Sequence, residues 1–271
     1  MLEKYLKTQG KLIDKALDQF LPKAKQPSAL LNEAVRYSVF SGGKRIRPIL
    51  TLAVSDMLGG SRERALIPAC AIEMIHSFSL VHDDLPAMDN DDLRRGRPTC
   101  HKKYGEANAI LAGDSLSIEA FYVLSFYPNP KVASRLVKAI AEASGGRGMV
   151  GGQASEKILE GQDVSLPTLN LIHVNKTGKL FVASCLMGAI SAGASPSEEK
   201  RIRRFGEYIG FAFQIVDDIM DGDGFLKFMS ESEARKEAAL ITQKAQKELR
   251  PFGKKAKILL ELADFLGNRT K

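Results

Sequence analysis

The sequence predicts an all-α protein, a helical bundle formed as one domain over residues 1–271. Three observations carry this. Apolar residues recur at three- and four-residue spacing almost throughout. No stretch alternates apolar and polar residues as a half-buried strand would. Prolines fall at breaks or early in helical segments, with Pro86 the exception. A chain of 271 residues, 44% of them hydrophobic, can bury a sizeable core.

The elements follow in order. Leu2 to Phe20 is a first amphipathic helix, and Pro22 and Pro27 mark the break after it. Ser28 to Phe40 is the second, with Ser28 placed to cap it. Ser41, Gly42 and Gly43 make a turn. Lys44, Arg45, Ile46, Arg47 and Pro48 then open a helix that reaches Leu58, before Gly59 and Gly60. Ser61 caps the helix over about Arg62 to His82, although Arg64 stands where a full capping box needs Glu or Gln. Glu63 in its first turn suits the helix dipole. Further helices cover Tyr104 to Phe126, Lys131 to Ala143, Thr168 to Ala192, Ser197 to Met220, Ser230 to Leu249 and Lys254 to Leu266.

Composition excludes several classes. Nothing reads as disordered. Cys70, Cys100 and Cys185 are odd in number and far apart, with no Cys-x-x-Cys spacing, so they read as reduced thiols of a cytoplasmic protein. The charged, amphipathic N-terminus has no apolar signal core, and the apolar stretch near Phe181 to Ala194 is too short to span a bilayer. No transmembrane segment is expected. Net charge is +7, and from Arg235 to Lys271 ten Lys and Arg stand against four Asp and Glu. Acids and apolar residues interleave there at helical spacing, which favours a solvated basic face over a nucleic-acid or membrane site.

Two helices end in aspartates: Asp83 and Asp84, with Asp89 beyond, and Asp217, Asp218 and Asp221. Neighbouring carboxylates about 4 Å apart repel by about 4 kcal/mol at an effective dielectric near 20. A solvated helix face offsets this with Lys or Arg three or four residues away, and Asp83, Asp84, Asp217 and Asp218 have none there. A bound cation is the natural missing partner. Asp217 and Asp221 share a helix face. Asp83 and Asp89 are six apart, and Pro86 can break the helix and bring Asp89 round. An all-oxygen donor set favours Mg²⁺ over zinc. The expectation is that the two acidic helix ends face each other across a bundle core and hold Mg²⁺ for diphosphate chemistry. The plainer alternative is an acidic helix end or solvated turn.

Basic residues complete the pattern. Lys44, Arg45 and Arg47 follow two glycines at a helix start, which suits a phosphate or is simply a charged loop. Arg94 and Arg95 lie just past the first acidic cluster. Lys176 and Thr177 sit inside an apolar helix, where a lysine can also snorkel. Gln214 is one turn before Asp218. His76 shares a helix with Asp83, although a lone histidine is more often a satisfied core residue.

Taken together, Gly42 to Pro48, His82 to Asp89 with Arg94 and Arg95, Leu111 to Asp114, Gly151 to Gln153, Lys176 with Thr177, and Phe213 to Asp221 resemble the trans-isoprenyl diphosphate synthases, bacterial farnesyl diphosphate synthase in particular. The resemblance covers nearly the whole chain, in the family's order. It implies a helical bundle with a central cavity, usually a homodimer. It implies that Mg²⁺ held by Asp83, Asp84, Asp89, Asp217, Asp218 and Asp221 grips an allylic diphosphate, dimethylallyl or geranyl. Arg94, Lys176 and Gln214 would help bind that substrate. Lys44, Arg47, His76 and Arg95 would bind isopentenyl diphosphate, and Thr177 and Gln214 would lie near the allylic cation. In the family, bulk before the first acidic motif stops chain growth, so Phe78 with Ser79 implies a product of three isoprene units. Phe78 also reads simply as core. After Asp221 the family usually has a longer lysine-containing loop, and near Glu156 it often has an aspartate; this chain departs at both places.

Rival readings are an all-α metal phosphohydrolase built on His82-Asp83, which needs further histidine ligands, a terpene cyclase, whose second metal motif usually mixes Asn, Ser and Glu, and a non-enzymatic binder of anionic partners resting on the basic tail.

Overall fold

A computed structural model describes residues 2–25 and 27–269. The fold is all-α: among the described residues the only strands form one two-residue antiparallel pair. The chain divides into two compact units, Glu3–Ile49 with Leu66–Ala133, and Leu50–Ala65 with the chain from Ser134 onward.

The first unit opens with α1 (Leu2–Phe20), the helix its amphipathic pattern predicts. It buries Ile13, Ala16 and Leu17. Next comes α2 (Ala29–Val39). Ser28 occupies its N-cap position but makes no side-chain capping bond, so that expectation is corrected. Helix α3 (Ile46–Met57), which from Leu50 on belongs to the second unit, begins two residues later than expected, because Arg45 has left-handed backbone (φ +51). Helix α4 (Arg62–Asp83) starts on Ser61, whose Oγ accepts from the Arg64 N–H at 3.4 Å. Its length and apolar composition would suffice to cross a membrane. Here it is a core helix, with Ala69, Cys70, Ile72, Met74 and Ile75 buried. It stops at Asp83, before Pro86.

Strands β1 (Leu93–Arg94) and β2 (Arg97–Pro98) pair antiparallel around Arg95 and Gly96, both at positive φ. Such a two-residue turn matches strand twist. This hairpin was not foreseen. The helix expected over Tyr104 to Phe126 is α6 (Glu106–Ser125); the short α5 (Cys100–Tyr104) before it was not expected, and Gly105 with φ +83 separates the two. Helix α6 exposes Leu111, Ile118 and Tyr122, and Phe126 follows one turn on, along one stripe.

The second unit holds most of α7 (Pro130–Ser144), then α8 (Met149–Leu159), which the glycines at its start hid from the periodicity. The predicted Thr168 to Ala192 helix is three pieces: α9 (Leu166–His173), a π-helical turn (Val174–Gly178) and α10 (Lys179–Ala192). Helix α10 is buried along nearly its whole length. Helices α11 (Pro196–Asp221) and α12 (Glu231–Leu249) each begin with a capping box, Ser195 with Glu198 and Ser230 with Glu233. Each cap is worth about 1 kcal/mol. A 3₁₀ stretch leads from α12 into α13 (Lys257–Gly267). The three cysteines are free and buried, and burial pushes the Cys70 and Cys185 thiols up.

Candidate active site

The site residues fall into two sets, one in each unit. In the first, Asp83 closes α4 and the chain folds back on itself. The Asp89 N–H donates to the Asp83 carbonyl at 2.9 Å, and Asn90 N–H to Leu85 O at 3.1 Å. The six-residue gap between Asp83 and Asp89 is thus closed by a turn containing Pro86. Asp84, next in the chain, is buried. Its Oδ1 accepts from Arg94 Nε at 2.8 Å and from Arg94 Nη2, which also reaches Asp91 at 2.9 Å. Burial raises the Asp84 carboxyl above its usual range, against the pull of Arg94. Asp84 therefore has a protein cation, contrary to the expectation from its helix neighbours. Its cation comes from ten residues along the chain, on the hairpin, beyond the reach of a helix-neighbour rule.

The hairpin also places Arg95, whose guanidinium donates to the Gly42 carbonyl. Gly43 (φ +122) holds a backbone conformation that other residues rarely adopt, and a Cβ there would also meet that guanidinium. Behind Gly42 and Gly43, Arg45 is buried and uses its whole fork. Nε bonds Asp14 at 2.9 Å, Nη1 bonds Glu73 at 2.7 Å, and Nη2 bonds the Val39 carbonyl at 2.7 Å. Glu73, on α4, is 3% exposed at its side chain, so breaking this pair would cost about 3–5 kcal/mol. Arg45 is structural support, while Lys44 and Arg47 on either side of it remain partly accessible. The sequence alone did not separate these roles.

One turn beyond Glu73, His76 Nε2 lies 3.3 Å from Arg47 Nη1. Arginine only donates, so His76 accepts through Nε2 and is neutral with its proton on Nδ1. Burial, and then Arg47, Arg95, Arg45 and Arg94, hold its pKa well below 6.5. The structure thus gathers Arg47, His76, Arg94 and Arg95 into one basic neighbourhood. Phe78 packs edge-on against His82 with ring centroids 5.3 Å apart. His82 lies 3.0 Å from the Ile110 carbonyl on α6, and Gly113 leaves room for its ring. Ser79 bonds back to the His76 carbonyl at 2.9 Å. His76, His101 and His173 have separate partners, Arg47, Thr99 and Asp218, and do not assemble the histidine set a His-Asp phosphohydrolase needs.

In the second unit, Lys176 and Thr177 lie in the π-helical turn. Lys176 pairs with Glu156 of α8. Gly152 lets α8 approach this turn, because a Cβ there would strike the Lys176 backbone. At the end of α11, Asp221 is exposed and Asp217 half-buried. Asp217 pairs with Arg269, whose guanidinium also lies 3.9 Å over the Phe213 ring. Arg269 belongs to the basic tail whose pattern predicts a solvated face, yet its side chain is only 12% exposed. Asp218 is buried among three donors: His173 Nε2 at 3.0 Å, Gln214 Nε2 at 2.8 Å and the Phe225 N–H at 2.9 Å. Two of these partners were invisible in the sequence, as was Arg269, because 45 residues separate His173 from Asp218 and 52 separate Asp217 from Arg269.

The acidic residues at the two helix ends suit Mg²⁺ chemically. Asp83, Asp89, Asp217 and Asp221 offer carboxylate oxygens, and Mg²⁺ binds through one or two carboxylates with substrate phosphates completing its shell. Among the described residues no three His, Cys, Asp or Glu side chains form a ready-made cage.

Comparison with known proteins agrees with this reading. The polyprenyl synthetase family model matches residues 28–230. A geranylgeranyl diphosphate synthase of Cyanophora paradoxa is 41% identical, with 98% of this chain and 95% of that protein aligned. A farnesyl diphosphate synthase of Geobacillus stearothermophilus is 45% identical, over 82% of this chain and 76% of its own. The apo crystal structure of an FPP/GFPP synthase from Zymomonas mobilis superposes with a TM-score of 0.95 at 39% identity, covering 98% of this chain and 99% of that one. The Cyanophora alignment runs over 288 positions, more than this chain contains, so that relative carries residues this one lacks. Matches of this extent, laid over acidic helix ends and a gathered set of arginines, establish that the chain belongs to the polyprenyl synthetase family, the trans-isoprenyl diphosphate synthases.

Proposed function

We propose that the protein condenses isopentenyl diphosphate head-to-tail with geranyl diphosphate, or twice in succession starting from dimethylallyl diphosphate, in the presence of Mg²⁺, to give farnesyl diphosphate with one free diphosphate released at each condensation. The observation that carries the reading lies within the first unit. Arg47, Arg94 and Arg95 gather around neutral His76, beside a turn that folds Asp89 back onto Asp83. A diphosphate needs cations, and carboxylates beside them suit a metal ion that accompanies the substrate.

In this reading Asp83, Asp89, Asp217 and Asp221 hold Mg²⁺, with Asp84 and Asp218 behind them. Bound Mg²⁺ would supply charge neutralisation that makes diphosphate a competent leaving group. Arg94 and Lys176 add fixed positive charge toward the allylic diphosphate. Lys44, Arg47, His76 and Arg95 hold isopentenyl diphosphate, with His76 supporting Arg47 through the 3.3 Å contact. The allylic C1–O bond breaks and its electron pair leaves with diphosphate. The double bond of isopentenyl diphosphate attacks through C4, forming the C1–C4 bond and a tertiary cation. Loss of a C2 proton, taken by the departed diphosphate, restores a double bond. Gln214 and Thr177 face the cationic stage with neutral dipoles.

Product length rests on Phe78. Its ring, held against His82, stands five residues before Asp83, about 7.5 Å along the helix axis. A cytoplasmic homodimer completes the proposal, supported by three free cysteines and by the apolar stripe on α6. The test is product analysis from labelled isopentenyl diphosphate and geranyl diphosphate. A Mg²⁺-dependent fifteen-carbon diphosphate, lost in Asp83→Ala and lengthened in Phe78→Ala, is the expected result. Twenty-carbon product from the unaltered enzyme would keep the chemistry and discard Phe78 as the floor. No condensation would remove the reading.

A further inference from the structure

We infer that Asp218 is a positioning residue, the anchor of a latch that holds the short connection between α11 and α12, and not a metal ligand. The inference rests on the prenyltransferase reading only where it speaks of metal.

Four observations place the latch. Asp218 is 6% exposed and both its oxygens are engaged, Oδ1 by Gln214 and Oδ2 by His173 and the Phe225 N–H. Gly224 (φ +57) sits directly over the carboxylate, where any Cβ would collide with it. Phe225 is 2% exposed in a core cluster with Ile215, Val216, Ile219 and Ile241. Its ring lies 5.6 Å from that of His173 and 5.7 Å from that of Phe211. The connection is therefore closed at both ends and pinned in the middle: Gly222 stops α11 in left-handed conformation, Ser230 starts α12, and Phe225 is held between them.

Two of the three partners lead toward a residue with a proposed role. Gln214 is oriented by Asp218 itself. His173 ends α9 and leads straight into the π-helical turn that carries Lys176 and Thr177. One buried carboxylate thus fixes the connection, the amide of Gln214 and the entry to the π turn. A carboxylate fully occupied by three protein donors has little left for a cation, whereas Asp217 and Asp221 are both less buried.

The test compares Asp218→Asn, His173→Phe and Asp217→Asn in the full-length protein. His173→Phe keeps a ring against Phe225 and every carboxylate, so it carries the test even if Asp218→Asn folds poorly. Amide hydrogen exchange over residues 222–229 should quicken at least about tenfold in His173→Phe and Asp218→Asn, as loss of a charge-assisted hydrogen bond implies. Unchanged exchange in His173→Phe overturns the latch. Binding of inorganic pyrophosphate with Mg²⁺, followed by calorimetry, should stay within about threefold of wild type in Asp218→Asn and weaken at least about tenfold in Asp217→Asn. Equal weakening in both makes Asp218 a ligand and overturns the inference. In turnover, His173→Phe should lower kcat more than it raises KM and leave the Mg²⁺ requirement unchanged. If the wild type binds no pyrophosphate, the prenyltransferase reading fails, while the exchange result alone upholds or overturns the latch.

Discussion

Neutral His76 is the residue whose surroundings translate most directly into a pH dependence. Burial and four arginines hold its folded pKa well below 6.5. In the unfolded chain it takes up a proton near 6.5. Below that pH the unfolded state therefore binds more protons, and stability falls as pH falls, by at most about 1.4 kcal/mol per pH unit for this one group. Above about pH 7 the contribution is flat. His76→Gln keeps an acceptor for Arg47 and removes the titration. Denaturant midpoints measured from pH 5 to 8 should then drop less steeply on the acid side in the variant, and parallel curves would sink the assignment. Arg45 shows the opposite use of charge. It stays ionised in a buried place because Glu73 and Asp14 overcome the burial that works against it.

At the scale of elements, glycines decide how close two helices come. Gly113 on α6 lies against the His82 ring of α4. Gly to Ala inside a helix would ordinarily stabilise by about 1 kcal/mol. Here the added methyl must displace the ring that braces Phe78, and overpacking costs about 1–3 kcal/mol. The second effect wins. Gly113→Ala should lower the melting temperature and, under the proposed function, shift product length, while a raised melting temperature would refute the packing argument. Helix types and most ends were legible because amphipathic period, Pro breaks and Ser starts are local signals, as α1, α4 and α7 show. The hairpin, α8 and the π turn were not. Two strands of two residues have no period, glycines mask α8, and a π turn differs from an α-turn only in its bonding partners. The candidate site was legible as a set of residue types. Its internal wiring was not, since Lys176 finds Glu156 across 20 residues and Asp217 finds Arg269 across 52.

At the scale of the whole molecule, the stripe on α6 is the surface that asks for a partner. Ile118 is 68% exposed, Tyr122 57%, Phe126 52% and Leu111 51%. Scattered apolar residues are ordinary on a surface, but four at helical spacing on one face are not. A second copy of this chain meeting that face would make the 29.6 kDa protein a 59 kDa particle. Ile118→Lys should convert it to the monomer in sedimentation velocity without changing its helix content. A monomer before the substitution would end the homodimer proposal.

The π-helical turn between α9 and α10 amounts to one residue more than a regular helix would hold. Removing one residue there would heal the helix, and the healed chain would be the easier one to fold. It would also rotate everything upstream by about 100° relative to Lys176 and Thr177. Selection for robustness and selection for turnover therefore pull on this segment in opposite directions. A lineage that lost its substrate would be expected to lose the extra residue early.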